Sequence, residues 1–489
     1  MSYNPNLTYF VDRLQGVSTN TFRLETQNKT TAKQNDIISF DLPSNAILNL
    51  RSLKVWCNAS TSQAAAGSAT NSGARLPPID DLVERVEVSV GGVLLSQGTN
   101  FQNVLNEALK SVQVEYCDSV VGHPEYVRNR SYVDGFGVGG TGPITGTDNE
   151  DYPAGENPRF CIQKFHGFLA TADPKLLDTS LMPDIRVRLY MASDNVLTTS
   201  LGIEVGDGIA APPFGVGFAN DTGTIIGLGK YILTDIFATI EAIGLADQSY
   251  DQMIAAQMGQ QGFLEIPYKS YTSFQETHSG SSRFTVATQS LDRVWVAWRK
   301  TAFNVQEAPI PIKGYKKQGA YIPGTYATNA VPATGTNVDL GLPQYDVGGV
   351  LGTNSEKYKS QYFNFAAPQL NMKMQLQLNG AYMPQFSATL GTLYGITRNS
   401  LEGAREAKEM SLDQYINNYC VQCFRLNLPD SEYSRTISGL DTRAVNLQGV
   451  VRTENTAASS SRDNLAINIF TEQTECLRVG AGRAIEIIA

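Results

Sequence analysis

Histidine is nearly missing from this chain of 489 residues, with His123, His166 and His278 the only three. A Ser–His catalytic pair therefore has few candidates for its base, and no Gly-x-Ser-x-Gly elbow occurs. Cysteine is sparse as well. Cys57, Cys117, Cys161, Cys420, Cys423 and Cys476 form no dense framework for a chain this long, which points to free thiols in a reducing compartment. Basic residues are outnumbered, 38 Lys and Arg against 47 Asp and Glu for a net charge of −9, and no Lys/Arg run exceeds two. Such a surface repels nucleic acid, and sequence-specific binding to it is not expected. Long apolar runs are absent too: the most apolar stretch, 225–245, is broken by Lys230, Asp235 and Glu241 and alternates as a strand does. The opening Met1-Ser2-Tyr3-Asn4-Pro5-Asn6 lacks the basic-then-apolar pattern of a secretory signal, so an unsecreted chain is expected.

What is plentiful sets the class. Gly 43 and Pro 21, with 42% apolar and 17% charged residues, describe a globular protein of many short strands joined by turns, and all-β is the expected class. The length exceeds what one hydrophobic core supports and implies about two domains of roughly 200 to 250 residues.

The chain is organised around 372–401. Met372, Met374, Leu376 and Leu378 alternate with Lys373, Gln375 and Gln377, the period of a strand burying one face. Asn379-Gly380 follows, the dipeptide suited to two positive φ angles in a tight hairpin, and 381–386 give the return strand. A helix then carries Leu390, Leu393, Tyr394 and Ile396 on one side, capped by Thr389 or Ser387. The same unit occurs earlier. Val86, Val88 and Val90 alternate, Gly91-Gly92 turn, 93–96 return, and 101–112 read as a helix. Upstream of each copy stands a second match, Ser52-Leu53-Lys54-Val55-Trp56 and Ser290-Leu291-Asp292-Arg293-Val294-Trp295. The chain reads as a tandem duplication. Trp56 precedes Gly92 by 36 residues and Trp295 precedes Gly380 by 85, so the second half carries an inserted Gly/Pro-rich loop over 301–361.

In order, 1–20 read as an N-terminal arm, 21–245 as the first body, 246–262 as a linker helix capped by Asp247, and 263–489 as the second body. Strands are expected at 22–25, 37–42, 47–57, 160–165, 185–190 and 231–243 in the first half. In the second they are expected at 263–266, 283–288, 294–298, 362–366, 419–428, 465–470, 475–479 and 484–488, with a further short helix over 401–410. A second Gly/Pro-rich excursion covers 115–158. About eight strands per half, folded as two packed antiparallel sheets, make a jelly roll in each.

Chemical motifs carry little. Gly135-x-Gly137-x-x-Gly140 has the letters of a dinucleotide fingerprint, but Thr141-Gly142-Pro143 stands where its helix must begin. Cys420-x-x-Cys423 lacks the second pair a zinc site needs, and in a strand the two point to opposite faces, so inert buried thiols are the simpler reading. Trp56, Trp295 and Trp298 sit in apolar strands and read as core before sugar platforms. Asn6, Asn28, Asn58, Asn129 and Asn220 head Asn-x-Ser/Thr triplets that are expected to stay unmodified. Catalytic, cofactor and metal residues are each assigned as none.

The layout, together with Gln289-Ser290-Leu291-Asp292-Arg293-Val294 and the stretches Ile469-Phe470-Thr471-Glu472 and Leu477-Arg478-Val479-Gly480-Ala481-Gly482-Arg483, resembles the double jelly-roll major capsid proteins of tailless icosahedral double-stranded DNA viruses. The likeness is greatest to those of polinton-like viruses and virophages. The resemblance implies two tandem jelly rolls, no enzymatic activity or cofactor, and a homotrimeric capsomer of pseudo-hexagonal outline that tiles a viral shell. It implies penton and minor or cement proteins as partners, assembly inside the host cell, and loops 115–158 and 301–361 as outward towers, and it leaves contact with an internal membrane open. Two rival classes stand beside it: a carbohydrate-binding or carbohydrate-active double β-sandwich, and a surface-layer lattice protein.

Overall fold

The computed structural model describes residues 17–63, 77–95, 100–113, 159–197, 201–202, 224–225, 229–245, most of 254–300, 310–311, 358–359, most of 361–401, parts of 410–427, 438–443, 447–455 and 465–488. The first-half strands are β1 (Val17–Glu25), β2 (Ile37–Asp41), β3 (Ile47–Gln63), β4 (Val83–Val90), β5 (Val93–Leu94), β6 (Arg159–Ile162), β7 (Leu176–Asp178), β8 (Ile185–Met191), β9 (Leu201–Gly202), β10 (Thr224–Ile225) and β11 (Gly229–Leu245). The second-half strands are β12 (Phe263–Thr277), β13 (Ser281–Val286), β14 (Leu291–Lys300), β15 (Ile310–Pro311), β16 (Tyr358–Lys359), β17 (Met372–Leu378), β18 (Ala381–Thr389), β19 (Val421–Arg425), β20 (Leu447–Asn455), β21 (Leu465–Gly480) and β22 (Ile485–Ile488).

Each half folds its main strands into two four-stranded antiparallel sheets. The first has orders β1-β11-β3-β6 and β2-β8-β4-β5, the second β12-β21-β14-β19 and β13-β20-β17-β18. Numbered from one to eight within each half, both read 1-8-3-6 and 2-7-4-5, the double Greek key of a jelly roll. The fold class is thus all-β, two tandem jelly rolls.

Local chemistry explains the hairpins. β17 buries Met372, Met374, Leu376 and Leu378 while the residues between stay partly open. Asn379 and Gly380 take φ of 46° and 90°, and Gly91 and Gly92 take 57° and 86°, so both turns use the two positive φ values that glycine and asparagine tolerate. The first helix spans Gln102–Val112. The second spans Leu390–Ser400, capped by Thr389, whose hydroxyl accepts from the Thr392 N–H at 3.5 Å.

Several boundaries differ from the sequence expectation. β1 begins at Val17, inside the expected arm, because Val17 to Glu25 pair continuously with β11 from Leu245 to Phe237. β12 runs 15 residues rather than stopping at Ile266. Pro267 is tolerated there because β12 is an edge strand, where a missing N–H leaves no ladder bond unmade. The stretches 465–470 and 475–479 are one strand, β21, since the polar run Thr471 to Thr474 pairs straight through with β12. β20 was not expected at all. Gly449 interrupts its apolar pattern, yet it lies between β13 and β17 as a central strand. Of the linker helix, residues 254, 256 and 258–261 are helical, and most of the helix expected over 401–410 lies outside the described residues.

Candidate functional site

The feature that distinguishes the two sandwiches is how much of each first sheet is covered. In β3 burial alternates, with Leu53, Val55, Cys57 and Ala59 inside and Lys54, Trp56 and Asn58 half-buried. The matching strand β14 is buried from Val294 to Arg299 without a break, and β21 is buried from Ala466 to Leu477. A strand buried on both faces has a body packed on each side. One side is the second half's own core, where Val294, Val296, Trp298, Ile467 and Ile469 join Phe284, Met372 and Val451. The other side is the first half: Tyr271, Trp295, Val421, Cys423 and Phe470 belong to the cluster built on the first sandwich.

The junction is assembled from a few segments. Following β6, Phe168 lies edge-on to Tyr268, ring centroids 5.3 Å apart, and His166 meets Tyr271 at 5.9 Å. The open edge of β12 is closed by hydrogen bonds: the Asp173 N–H donates to Pro267 O at 3.0 Å and the Lys269 N–H to Thr171 Oγ1 at 2.8 Å. From the other hairpin, Tyr268 donates its hydroxyl to Leu95 O at 3.0 Å, and the Asn100 N–H donates to Ser273 Oγ at 3.0 Å. Burial sets the titration of this region. It pushes His166 down to about 4, with the Lys110 and Lys164 cations adding to the effect, and raises Tyr271 well above the usual phenol.

Matched positions carry matched chemistry. Trp56 lies between Phe237 and Cys161 on the neighbouring strands, and Trp295 between Phe470 and Cys423. Each indole N–H donates to the residue two beyond that Phe, Trp56 to Thr239 Oγ1 at 2.9 Å and Trp295 to Glu472 Oε2 at 3.1 Å. This Trp–Phe–Cys triplet is a signature of duplication that sequence reading missed, because each Trp lies more than 100 residues from both its partners and only pairing aligns them.

The quoted motif has a structural task. Asp292 accepts from Lys269 Nζ at 2.7 Å, from Thr474 Oγ1 at 2.5 Å and from Ser290 Oγ at 2.8 Å, and Arg293 pairs with Glu472 at 3.3 Å. Ser290 in turn accepts from the Gly439 N–H, so the start of β14 ties three strands and a loop together.

The other singled-out residues separate. Cys420 lies in the second sandwich's own core and Cys423 in the junction cluster, on opposite sides of the sheet. Burial pushes the Cys161 thiol up to about 12 and raises Cys423 as well. Trp298 is core. Asn28 is held by its own fold, Nδ2 donating to Ile37 O at 2.6 Å and Oδ1 accepting from the Ser39 N–H at 3.2 Å. His278 shares a hydrogen bond with Thr453 Oγ1 at 3.1 Å, and burial lowers its pKa. The Gly135 to Gly140 pattern, Cys117, His123, Asn6, Asn129 and Asn220 lie outside the described residues. Among the described residues no group of three or more His, Cys, Asp or Glu is placed to hold a metal ion.

The class these features define is a double jelly-roll protein whose two sandwiches share a buried junction. No family model and no curated protein matches the sequence. Solved structures do match. VP54 of PBCV-1, as fitted into a reconstruction of the virophage Sputnik, is similar with a TM-score of 0.53 and 12% identity, covering 99% of this chain and 99% of that one. The major capsid protein of Faustovirus gives 0.53 and 10%, covering 97% and 92%. The PBCV-1 capsid model gives 0.52 and 11%, covering 99% of each chain. The fold is that of double jelly-roll major capsid proteins, end to end.

Proposed function

We propose that this chain is a major capsid protein, a structural and non-enzymatic subunit that forms homotrimeric capsomers of near-sixfold outline and tiles an icosahedral shell. The observation that carries the reading is the same strand order in both halves among the described strands, in a fold that matches the Faustovirus and PBCV-1 capsid proteins along nearly the full length. Two similar bodies per chain, repeated three times, place six similar bodies around one axis under closed threefold symmetry. The chain then divides into sandwiches 21–245 and 263–489 joined by 246–262, which the absence of any shared sheet among the described strands supports. Its place is the virion, assembled in the host cell, with other copies of itself as first partners and penton and cement proteins as further ones. The segments 115–158 and 301–361 are proposed as outward towers; the first lies outside the described residues, and of the second only the β15–β16 pair and residue 361 are described.

Light scattering on the purified protein tests this. The expected mass is about three times 53.2 kDa, or larger assemblies with a visible shell in the electron microscope. A strict monomer at micromolar concentration that binds or hydrolyses glycans would replace this reading with the carbohydrate one.

A further inference from the structure

Within the chain, the first sandwich covers the edge and outer face of the second sandwich's first sheet. The duplication makes this contact directional, because each sandwich owns both surfaces and only one of each is used. The donor surface of the first sandwich includes Leu95 and Asn100, between the hairpin return and the helix. Its counterpart on the second sandwich is the return strand β18. Counting from the matched turns, Leu95 corresponds to Met383, and the helix caps Phe101 and Thr389 correspond. β18 is largely exposed, with Phe386 at 56% and Tyr382 at 39%, the former the most exposed large hydrophobic side chain among the described residues.

The acceptor surface of the second sandwich is β12, and its counterpart is β1. Phe237 pairs with Glu25 and Phe470 with Ser273, so Thr19, Thr21 and Arg23 correspond to Pro267, Lys269 and Tyr271. β12 is buried through Ile266 to Tyr268 and again at Ser270 and Tyr271, whereas every residue from Ser18 to Arg23 is exposed. The Lys269 N–H is capped by Thr171 inside the chain. Among the described residues nothing pairs with the same edge of β1, a nine-residue strand whose outward edge is a feature that proteins cover or blunt.

We propose that these two surfaces meet between copies of this chain: β18 of one copy, led by Tyr382 and Phe386, lies against β1 of the next, as the return segment holding Leu95 and Asn100 lies against β12 within each chain. This deepens the capsid reading and rests on it for the number of copies that close the ring. A contact between two different surfaces of one chain is head-to-tail and forms a ring only if its rotation closes.

The test uses two full-length variants. Phe386→Glu spoils the donor surface. Thr21→Pro removes the outward N–H equivalent to that of Lys269 and leaves the β11 ladder intact, as Pro267 does one pair along in β12. Each variant alone is expected to stay near 53.2 kDa in light scattering where the natural chain trimerises, with self-association weakened at least about tenfold. Mixed in equal amounts, they should form a one-to-one dimer and stop, since each retains the surface the other lacks. A trimer from either variant, or monomers from the mixture, overturns the proposal. Hydrogen exchange on the natural chain needs no variant: the outward amides of Thr19, Thr21 and Arg23 should slow at least about tenfold on assembly, and equal rates, or protection of these three already present in the monomer, overturn it. A natural chain that assembles while both variants assemble equally well defeats this contact alone; one that never assembles defeats the capsid reading with it.

Discussion

Single residues in this fold are constrained most where two strands approach closely. Gly449 faces Phe284 across the β13–β20 pair, and the ring fills the space a Cβ would need. The glycine is there for clearance, since its backbone is ordinary strand. Gly449→Ala is therefore expected to destabilise by about 3 kcal/mol, the scale of overpacking in a tight core. The same change in a Phe284→Leu background should cost at least about 1 kcal/mol less, because the two side chains contest one volume. Urea unfolding of the four proteins measures the coupling, and simple additivity would show that the ring is not the cause.

At the scale of elements, the segment after β6 is a strap that the first sandwich lays over β12. His166 sits in it, neutral and half-buried against Tyr271 with its Nε2 shielded from water, Lys110 and Lys164 nearby and Asp80 partly offsetting them. Its pKa falls from 6.5 to about 4, so the unfolded chain binds a proton there before the folded one does. The neutral ring's contribution is complete above about pH 6.5 and is lost progressively as pH falls toward 4, by on the order of 3 kcal/mol. His166→Gln should be less stable at neutral pH yet flatter across that window. Equal slopes for the two proteins between pH 6.5 and 4 would remove His166 from the acid limb.

Over the whole molecule, the shared junction is expected to make the two sandwiches unfold as one cooperative unit. The first sandwich's apolar cluster continues without a break into Tyr268, Trp295, Phe470 and Cys423 of the second. A calorimetric scan of the unassembled protein should show a single transition. Phe168, 1% exposed and packed edge-on to Tyr268, is a principal link. Phe168→Ala should cost about 3 to 5 kcal/mol and separate the scan into two transitions. A single peak in the variant as well would place the coupling elsewhere in the junction.

The sequence alone determined the all-β class, the two glycine-bearing hairpins, the helix after each and the duplication. A strand covered on one face alternates and a tight turn selects Gly or Asn, so β8, β17 and both turns were legible from neighbouring residues. Tertiary structure decided the rest. The polar run in the middle of β21 looks like a break until Glu472 meets Trp295 and Arg293, and Thr474 meets Asp292, all more than 170 positions away. Gly449 looks like an interruption until Phe284 lies over it. The two Trp–Phe–Cys triplets differ in exposure, Trp56 half-buried and Trp295 sealed, because the other sandwich lies over the second. Periodicity reports that one face is buried; what covers the opposite face is chosen by residues far away in the chain, and local pattern holds no record of them.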